Sequence, residues 1–245
     1  MPLRLAVALA TLLLAACTSQ PLKPDQRDPL EKLNRSMYTL NDGLDRAIAR
    51  PVARTYRRIT PAIVQTGVSN FWSNVNYPTT IVNEFLQGKP RAGLSDLARF
   101  LLNTVAGVGG LLDPATAAGL DRNDEDFGQT LGKWGVPAGP YLMLPLLGPS
   151  SIRDGTGRIA DRYSDPVNYL EHWEWRYGLD GFRLLERRAR LLPVTDTLQD
   201  VYDPYAFIRN AYFQQRDYAV HDGNVDAAPA DEGLDLPDDD PPPQD

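Results

Sequence analysis

The stretch from Gly135 to Ile152 constrains the fold of this chain more than any other part. It holds four Pro and three Gly and carries no charged side chain. Pro at this density breaks a helix, because each one removes a backbone N–H donor and clashes with the preceding turn. Non-helical backbone cannot face lipid tails, but it can be buried in protein or line a cavity. We therefore expect an irregular segment held inside or beside the folded body.

Two further stretches without charge are residues 59–83 and 100–112. Neither can span a bilayer, since the first is rich in Asn, Ser and Thr and the second is short. The second contains Gly107, Gly109 and Gly110, which allow this segment to bend or to pack closely. Two interpretations remain open: a buried core in a soluble helical protein, or a monotopic protein whose helices lie in one membrane leaflet.

The N-terminus has the pattern of a secretory signal over residues 1–16, with Arg4 followed by an apolar run. It ends in Leu14-Ala15-Ala16-Cys17, which resembles the lipobox of bacterial lipoproteins. Cys17 is the only Cys in the chain and is predicted to carry the lipid, with a tether over residues 17–27. Thr18 rather than Asp follows it, which by the same resemblance favours the outer membrane. The alternative is an ordinary signal peptide with a chance Cys.

Charge is distributed unevenly along the chain. Residues 222–245 hold nine acidic residues and no basic ones, and this Pro-rich tail is predicted to be disordered. Without the tail and the signal peptide, 24 Lys and Arg stand against 23 Asp and Glu. A nearly neutral body with an acidic tail is a poor nucleic-acid binder. One Cys and two His cannot form a Cys/His zinc site, and we expect no metal or cofactor.

Residues 28–221 are predicted to form one all-α domain. Strict alternation of apolar and polar residues, which strands require, is scarce. Four Asp-Pro pairs are expected to begin helices, because Asp caps a helix and Pro fits its first position. They start at Asp28, Asp113, Asp165 and Asp203.

A cluster of arginines is predicted to share one helical face. They are Arg50, Arg54, Arg57 and Arg58. This face can contact lipid phosphates or be merely solvated, and the sequence leaves both open.

Catalytic patterns are missing from the sequence. It contains no Gly-x-Ser-x-Gly motif. Gly155 and Gly157 imitate part of a dinucleotide fingerprint, but no apolar strand precedes them, so we interpret them as a helix-breaking turn. His172 lies among aromatic and acidic residues and is expected to be packed or interfacial rather than a base.

Several short segments, in this order, resemble the MlaA (VacJ) lipoprotein family. The best match runs from Gly139 to Asp154. The others are Asp28-Pro-Leu-Glu31, Asn34-Arg35, Arg50-Pro-Val-Ala53, Leu86-Gln-Gly88, Arg99-Phe-Leu-Leu-Asn103, Gly107-Val-Gly-Gly-Leu-Leu-Asp113, Phe127-Gly-Gln-Thr-Leu-Gly132, Asp203-Pro-Tyr205, Arg209 and Ala211-Tyr-Phe-Gln214. The similarity covers residues 28–223, which is nearly the whole mature body.

The resemblance implies a ring-like, monotopic all-α domain in the inner leaflet of the outer membrane, enclosing an amphipathic channel. Such a protein removes misplaced phospholipids from the outer leaflet and passes them to a periplasmic phospholipid-binding shuttle, beside a trimeric outer-membrane porin. It implies that the irregular segment is a channel-lining hairpin and that the glycine segment forms a flexible wall. The lining residues would be Tyr141, Leu142, Met143, Leu144, Pro145, Leu146 and Leu147.

Transport of this kind makes and breaks no bond, so no catalytic residue is expected. Two alternatives remain open at this point. One is a lipid-anchored adaptor or structural protein facing the periplasm. The other is a phospholipid-modifying enzyme, for which His172 would be the candidate base.

Overall fold

The structure, a computed structural model, describes residues 27–196 and 201–224. The predicted signal peptide, Cys17 with most of its tether, and the tail beyond residue 224 lie outside the described residues. Within them the fold class is all-α, as predicted, with one small β-hairpin.

Nine α-helices and two strands are found in the described ranges. The helices are α1 (Glu31–Leu44), α2 (Arg50–Ile59), α3 (Ala62–Leu86), α4 (Pro90–Val105), α5 (Pro114–Ala117), α6 (Phe127–Lys133), α7 (Ile152–Asp161), α8 (Trp173–Asp196) and α9 (Pro204–Val220). The strands are β1 (Tyr141–Leu144) and β2 (Gly148–Ser151), which pair antiparallel. A π-helical turn (Asp45–Ala49) joins α1 to α2, and a 3-10 turn (Pro166–Tyr169) precedes α8.

Three of the four predicted Asp-Pro helix starts are confirmed. The Asp113 carboxylate accepts from the Thr116 N–H, and that of Asp203 accepts from the Ala206 N–H, both at 3.1 Å. Asp165 caps the 3-10 turn by accepting from the Val167 N–H.

The prediction for Asp28 was wrong. Helix α1 begins at Glu31 without a side-chain cap. The Asp28 carboxylate instead accepts hydrogen bonds from Asn34, Tyr205 and Arg209. A buried carboxylate is stabilised more by these charge-assisted bonds than by one helix-end N–H.

The turn predicted at Gly155 and Gly157 was also wrong, because both lie inside α7. A Cβ atom on Gly157 would lie 2.4 Å from the Gly128 nitrogen. The glycine is therefore required for the close contact between α7 and α6, which no local pattern reveals.

The elements contact one another in a closed circuit rather than around one centre. Going around it, α1 continues through the π-helical turn into α2, and α2 packs on α8. Helix α8 contacts α3, α3 contacts α6, and α6 contacts α9. Helix α9 then packs on β2, and β1 packs on α1, which closes the circuit. This circuit is consistent with the ring-like domain that the resemblance implies.

Burial follows from this arrangement. The buried hydrophobic side chains form separate small clusters, one around Tyr141 and one around Ala53. Most of the other buried side chains in the described ranges are polar or charged. Buried polar groups are retained when they are hydrogen-bonded, so networks of such bonds hold the circuit together in place of a single large core.

Candidate functional site

The β-hairpin occupies part of the irregular segment predicted from the sequence. Tyr141 lies opposite Ser151 and Leu144 opposite Gly148. The turn between the strands is residues 145–147, where Leu146 has a φ of 63°. A leucine in this left-handed region is strained, since its Cβ crowds the backbone. The surrounding contacts must therefore hold the turn.

The side chains of β1 alternate between two environments. Tyr141 and Met143 are buried against Tyr205, Tyr212 and Phe213 of α9. Of the residues predicted to line a channel, Tyr141 and Met143 are therefore buried, and they pack the hairpin against α9.

The remaining predicted lining residues face outward to different degrees. Leu142 and Leu144 are half-buried, and Pro145 is exposed. At the turn, Leu146 is 62% exposed and Leu147 is 58% exposed. The exposed apolar surface of the hairpin is therefore made mainly by Leu146 and Leu147 in the turn, with the half-buried Leu142 and Leu144 beside them. We call these four residues the leucine tip.

Two asparagines of α1 hold the free edge of β1. Asn34 donates to the Tyr141 carbonyl at 3.0 Å and accepts from the Met143 N–H at 2.9 Å. Asn41 donates to the Leu144 carbonyl at 2.9 Å and accepts from the Leu146 N–H at 2.8 Å. They lie seven residues apart, which places them on the same helical face. Their amides thus take the place of a third strand.

The sequence did not reveal this asparagine pair, although Asn34 lies in a segment that resembles the family. Two Asn residues seven positions apart, in a chain that also contains a Pro-rich segment, do not by themselves predict a contact between the two. Only the hydrogen bonds across more than 100 residues give it a meaning.

Two buried ion-pair networks fix α9 behind the hairpin. Asp28 accepts from Arg209 at 3.1 Å and from the Tyr205 hydroxyl. Asp154 accepts from Arg216 and from the Tyr212 hydroxyl. Burial opposes ionisation of Asp154, but Arg216 and the Tyr212 hydroxyl outweigh it and lower the pKa of the carboxyl.

The predicted glycine wall forms the turns after α4. A Cβ atom on Gly107 would lie 2.3 Å from the Asn103 carbonyl oxygen, and one on Gly110 would lie 2.5 Å from the Asn74 Cβ. Gly109 has open space but a φ of 69°. Close approach requires the first two glycines, and backbone conformation favours the third.

Exposed apolar side chains occur on these turns and on the chain around the beginning of α3, and the two segments meet in the N-terminal half of that helix. The Asn70 amide donates to the Leu111 carbonyl at 3.3 Å, which places the two segments together. The exposed residues here are Ile59, Ile63, Val105, Val108 and Leu112, and Ile63 and Val105 are each 81% exposed. We call this group the apolar end. None of the described helices combines the length and apolarity needed to cross a bilayer.

Arginines from two helices lie near one another. The side chain of Arg187 on α8 is exposed. Its pKa is nevertheless lowered, first because surrounding protein displaces solvent and then by repulsion from Arg158 and Arg190. Arg158 belongs to α7. The repulsion shows that the Arg158 and Arg187 side chains lie near one another, and we call this pair the polar wall.

A cluster of carboxyl groups lies at the junction of α3, α4 and α6. Burial and the neighbouring Glu125 raise the pKa of Glu84 to about 7. Burial also raises the pKa of Asp161 to about 6. In the described part of the chain, no cluster of acidic, His or Cys side chains has the arrangement of a metal site.

Glu84 makes stability depend on pH. Its folded-state pKa is raised, so between about pH 4.5 and 7 the folded protein binds a proton that the unfolded chain releases. Its contribution to stability is therefore present at low pH and lost as the pH rises through 7. We expect the Tm to fall by about 4 °C from pH 5 to pH 8. Glu84→Gln should raise the Tm at pH 8 and flatten this slope, whereas the exposed Glu174→Gln should change neither. An unchanged slope in Glu84→Gln would contradict the assignment.

Comparisons with known proteins agree with the geometry. The model of the family described as MlaA lipoprotein matches residues 26–219. The intermembrane phospholipid transport system lipoprotein MlaA of Escherichia coli K12 is 41% identical over 231 residues, covering 92% of each chain. The protein of the same name from Haemophilus influenzae is 32% identical, covering 82% of each.

A solved structure is also similar. It comes from work on the structural basis for maintenance of bacterial outer membrane lipid asymmetry. It is 42% identical, has a TM-score of 0.71, and is matched over 98% of its length and 79% of this chain.

The fold and the site define a helical protein with exposed apolar side chains at a hairpin tip and at one end. The family match covers most of the chain, and the relatives match over nearly their full length. The chain belongs to the MlaA lipoprotein family, as its sequence segments predicted.

Proposed function

We propose that this chain is a lipoprotein of the outer membrane, anchored in the periplasmic leaflet through Cys17. It removes mislocalised phospholipids from the outer leaflet through an amphipathic channel. It passes them to a periplasmic phospholipid-binding shuttle and works beside a trimeric porin. The relatives named for intermembrane phospholipid transport support this proposal.

The observation that carries the proposal is the leucine tip. Exposed leucines on a turn are costly in water, because their burial against apolar groups is worth about 25 cal/mol per Å². The hairpin that carries these leucines is fixed, because Asn34 and Asn41 accept hydrogen bonds from its backbone on the side that faces α1. A fixed apolar surface suits contact with varied acyl chains.

The polar wall supplies the complementary half of the channel. A phospholipid moving between leaflets must keep its headgroup hydrated and its tails away from water. Arg158 and Arg187 can accompany the phosphate, while the leucine tip accompanies the tails. The apolar end supports monotopic embedding, since it can enter a leaflet without spanning it.

The double variant Leu144→Asp/Leu146→Asp tests the proposal. In cells whose own copy of this protein is deleted, the wild type should return outer-leaflet phospholipid to its normal low level. The double variant should achieve less than half of this reduction. Two carboxylates at the tip would repel acyl chains and attract the arginines. The measurement is surface-accessible phospholipid, with membrane localisation checked by fractionation.

The matched control is Leu33→Asp/Leu40→Asp, which adds the same charge at two exposed leucines of α1. It should restore lipid asymmetry nearly fully. If the tip variant also did so while reaching the membrane, the channel proposal would fail and an adaptor role would replace it.

A further inference from the structure

A cavity outside the hairpin lies between α2, α3 and α8. Its volume is about 310 Å³, and its walls include Tyr56, Arg57, Ser69, Asn70, Glu186 and Arg190. This volume is near the lower end of the range of about 300–1,000 Å³ that is typical of small-molecule sites. It suits a compact polar group better than an acyl chain.

One residue that lines the cavity carries a polar group without a partner among the described residues. The Tyr56 hydroxyl is buried and has no hydrogen-bond partner in the described residues. The Glu186 side chain is buried, and its carboxylate lies 3.8 Å from the Arg190 Nε, beyond hydrogen-bond distance. A buried polar atom without a partner costs free energy, so the Tyr56 hydroxyl, beside the buried Glu186 carboxylate, indicates a place for a ligand.

The mouth of the cavity is cationic. Arg57 on α2 and Arg190 on α8 are both exposed. Arg190 donates to the Ser69 hydroxyl at 3.5 Å and lies 3.8 Å from the Glu186 carboxylate. Guanidinium groups bind phosphate oxygens with two parallel hydrogen bonds. The guanidinium groups of Arg57 and Arg190, together with the Glu186 carboxylate, match a ligand in which a negative group and a positive group are adjacent.

The location connects this cavity to the apolar end. Asn70 lines the cavity and also donates to the Leu111 carbonyl. Ile59 and Ile63, which are exposed, lie within a few residues of Arg57 and Gln65 along the chain. A ligand with a polar head and apolar tails can therefore place its head in the cavity and its tails along the apolar end.

We propose that this cavity binds the headgroup of a phospholipid that carries a phosphate and a primary ammonium, such as phosphatidylethanolamine. The phosphate accepts from Arg57 and Arg190. The ammonium donates to the Glu186 carboxylate and the Tyr56 hydroxyl. This inference rests on the proposed function, to which it adds a headgroup preference.

The test measures lipid binding to the full-length lipidated protein in detergent by native mass spectrometry. The probes are phosphatidylethanolamine and phosphatidylglycerol, which lacks the ammonium. The wild type should bind phosphatidylethanolamine at least fivefold more tightly. Arg57→Ala and Arg190→Ala should each weaken both lipids about tenfold, because they remove phosphate contacts. Arg58→Ala removes an exposed charge one residue away and should change neither.

Glu186→Gln should abolish the preference while leaving phosphatidylglycerol binding in place. Should this variant unfold, Tyr56→Phe provides the second measurement. It removes only the unpartnered hydroxyl, so its Tm should be unchanged or raised while the preference falls about threefold. Equal binding of the two lipids by the wild type would overturn the inference.

A second set of measurements tests whether soluble phosphoethanolamine or inorganic phosphate competes with the lipid. Both should compete only at concentrations at least a hundredfold above that of the lipid, because they lack the tails. If inorganic phosphate bound as tightly as the lipid, the cavity would be a site for free phosphate and the inference would be wrong.

Failure here is distinguishable from failure of the proposed function. Normal lipid binding by both arginine variants, together with defective asymmetry in the leucine-tip variant, would overturn the headgroup site alone. A harmless leucine-tip variant would overturn the channel, whatever the cavity binds.

Discussion

Replacing Arg99 with methionine should lower the free energy of unfolding by about 4 kcal/mol. Arg99 is almost fully buried on α4. Its guanidinium donates to the Tyr77 hydroxyl at 2.7 Å and to both oxygens of Asp113, at 2.9 and 3.0 Å, and also to the Leu120 carbonyl. Methionine fills most of the volume but leaves a carboxylate without its cation.

The expected loss of stability is large because the hydrogen bonds of Arg99 connect several elements. Arg99 connects α3, α4 and the turns that follow α4. Asn103 strengthens the same contact, donating to Asp113 and accepting from the Ala115 N–H. Loss of Arg99 therefore releases the glycine turns as well as the two helices.

Urea unfolding of the purified protein in detergent measures this change. Arg91→Met is the matched control, since Arg91 lies exposed on the same helix. Its effect should remain within about 0.5 kcal/mol. A loss in Arg99→Met of less than 1 kcal/mol would show that the buried pair contributes little.

Replacing Asn34 with alanine should cost about 3 kcal/mol, because three buried partners lose their hydrogen bonds at once. They are the Asp28 carboxylate, the Tyr141 carbonyl and the Met143 N–H. Asn34→Asp should be at least as harmful, since aspartate cannot donate and would face the Asp28 carboxylate.

Asn41→Ala provides the comparison for this variant. Its partner Leu146 is exposed, so water can replace the lost bond and the cost should stay near 1 kcal/mol. Hydrogen exchange of residues 141–151 measures the local effect. Faster exchange in Asn34→Ala than in Asn41→Ala is expected, and the reverse order would contradict the assigned role of Asn34.

Both predictions concern how the hairpin and the turns beside the apolar end are held in place. Asn34 holds the hairpin directly, whereas Arg99 holds the helices and turns beside the apolar end. If the leucine tip must stay fixed to contact lipid, Asn34→Ala should weaken lipid asymmetry at temperatures where the protein is still folded. Arg99→Met should do so mainly by lowering the amount of folded protein.

Several features could be predicted from the sequence because they depend on local chemistry. Asp113, Asp165 and Asp203 cap helical turns because a carboxylate followed by Pro fits a helix start. The density of Pro between Gly135 and Ile152 excluded a helix for the same kind of reason. The ordered family segments carried the rest of the identification.

Other features depended on partners distant in the chain. Asp28 has the same local pattern as the three capping residues, yet Tyr205 and Arg209, more than 170 residues away, take its carboxylate. Tyr141 and Leu142 are adjacent apolar residues, and only the packing of α9 decides which one is buried. The cavity beside Glu186 likewise exists only where α2, α3 and α8 meet.

The sequence alone thus determined the helical class, three of the four predicted helix starts and the family, because these depend on short-range chemistry and on the order of segments. The tertiary structure decided which leucines face outward, what holds the hairpin and where unsatisfied polar groups collect. Those properties arise from contacts between residues far apart in the chain, and no local pattern encodes them.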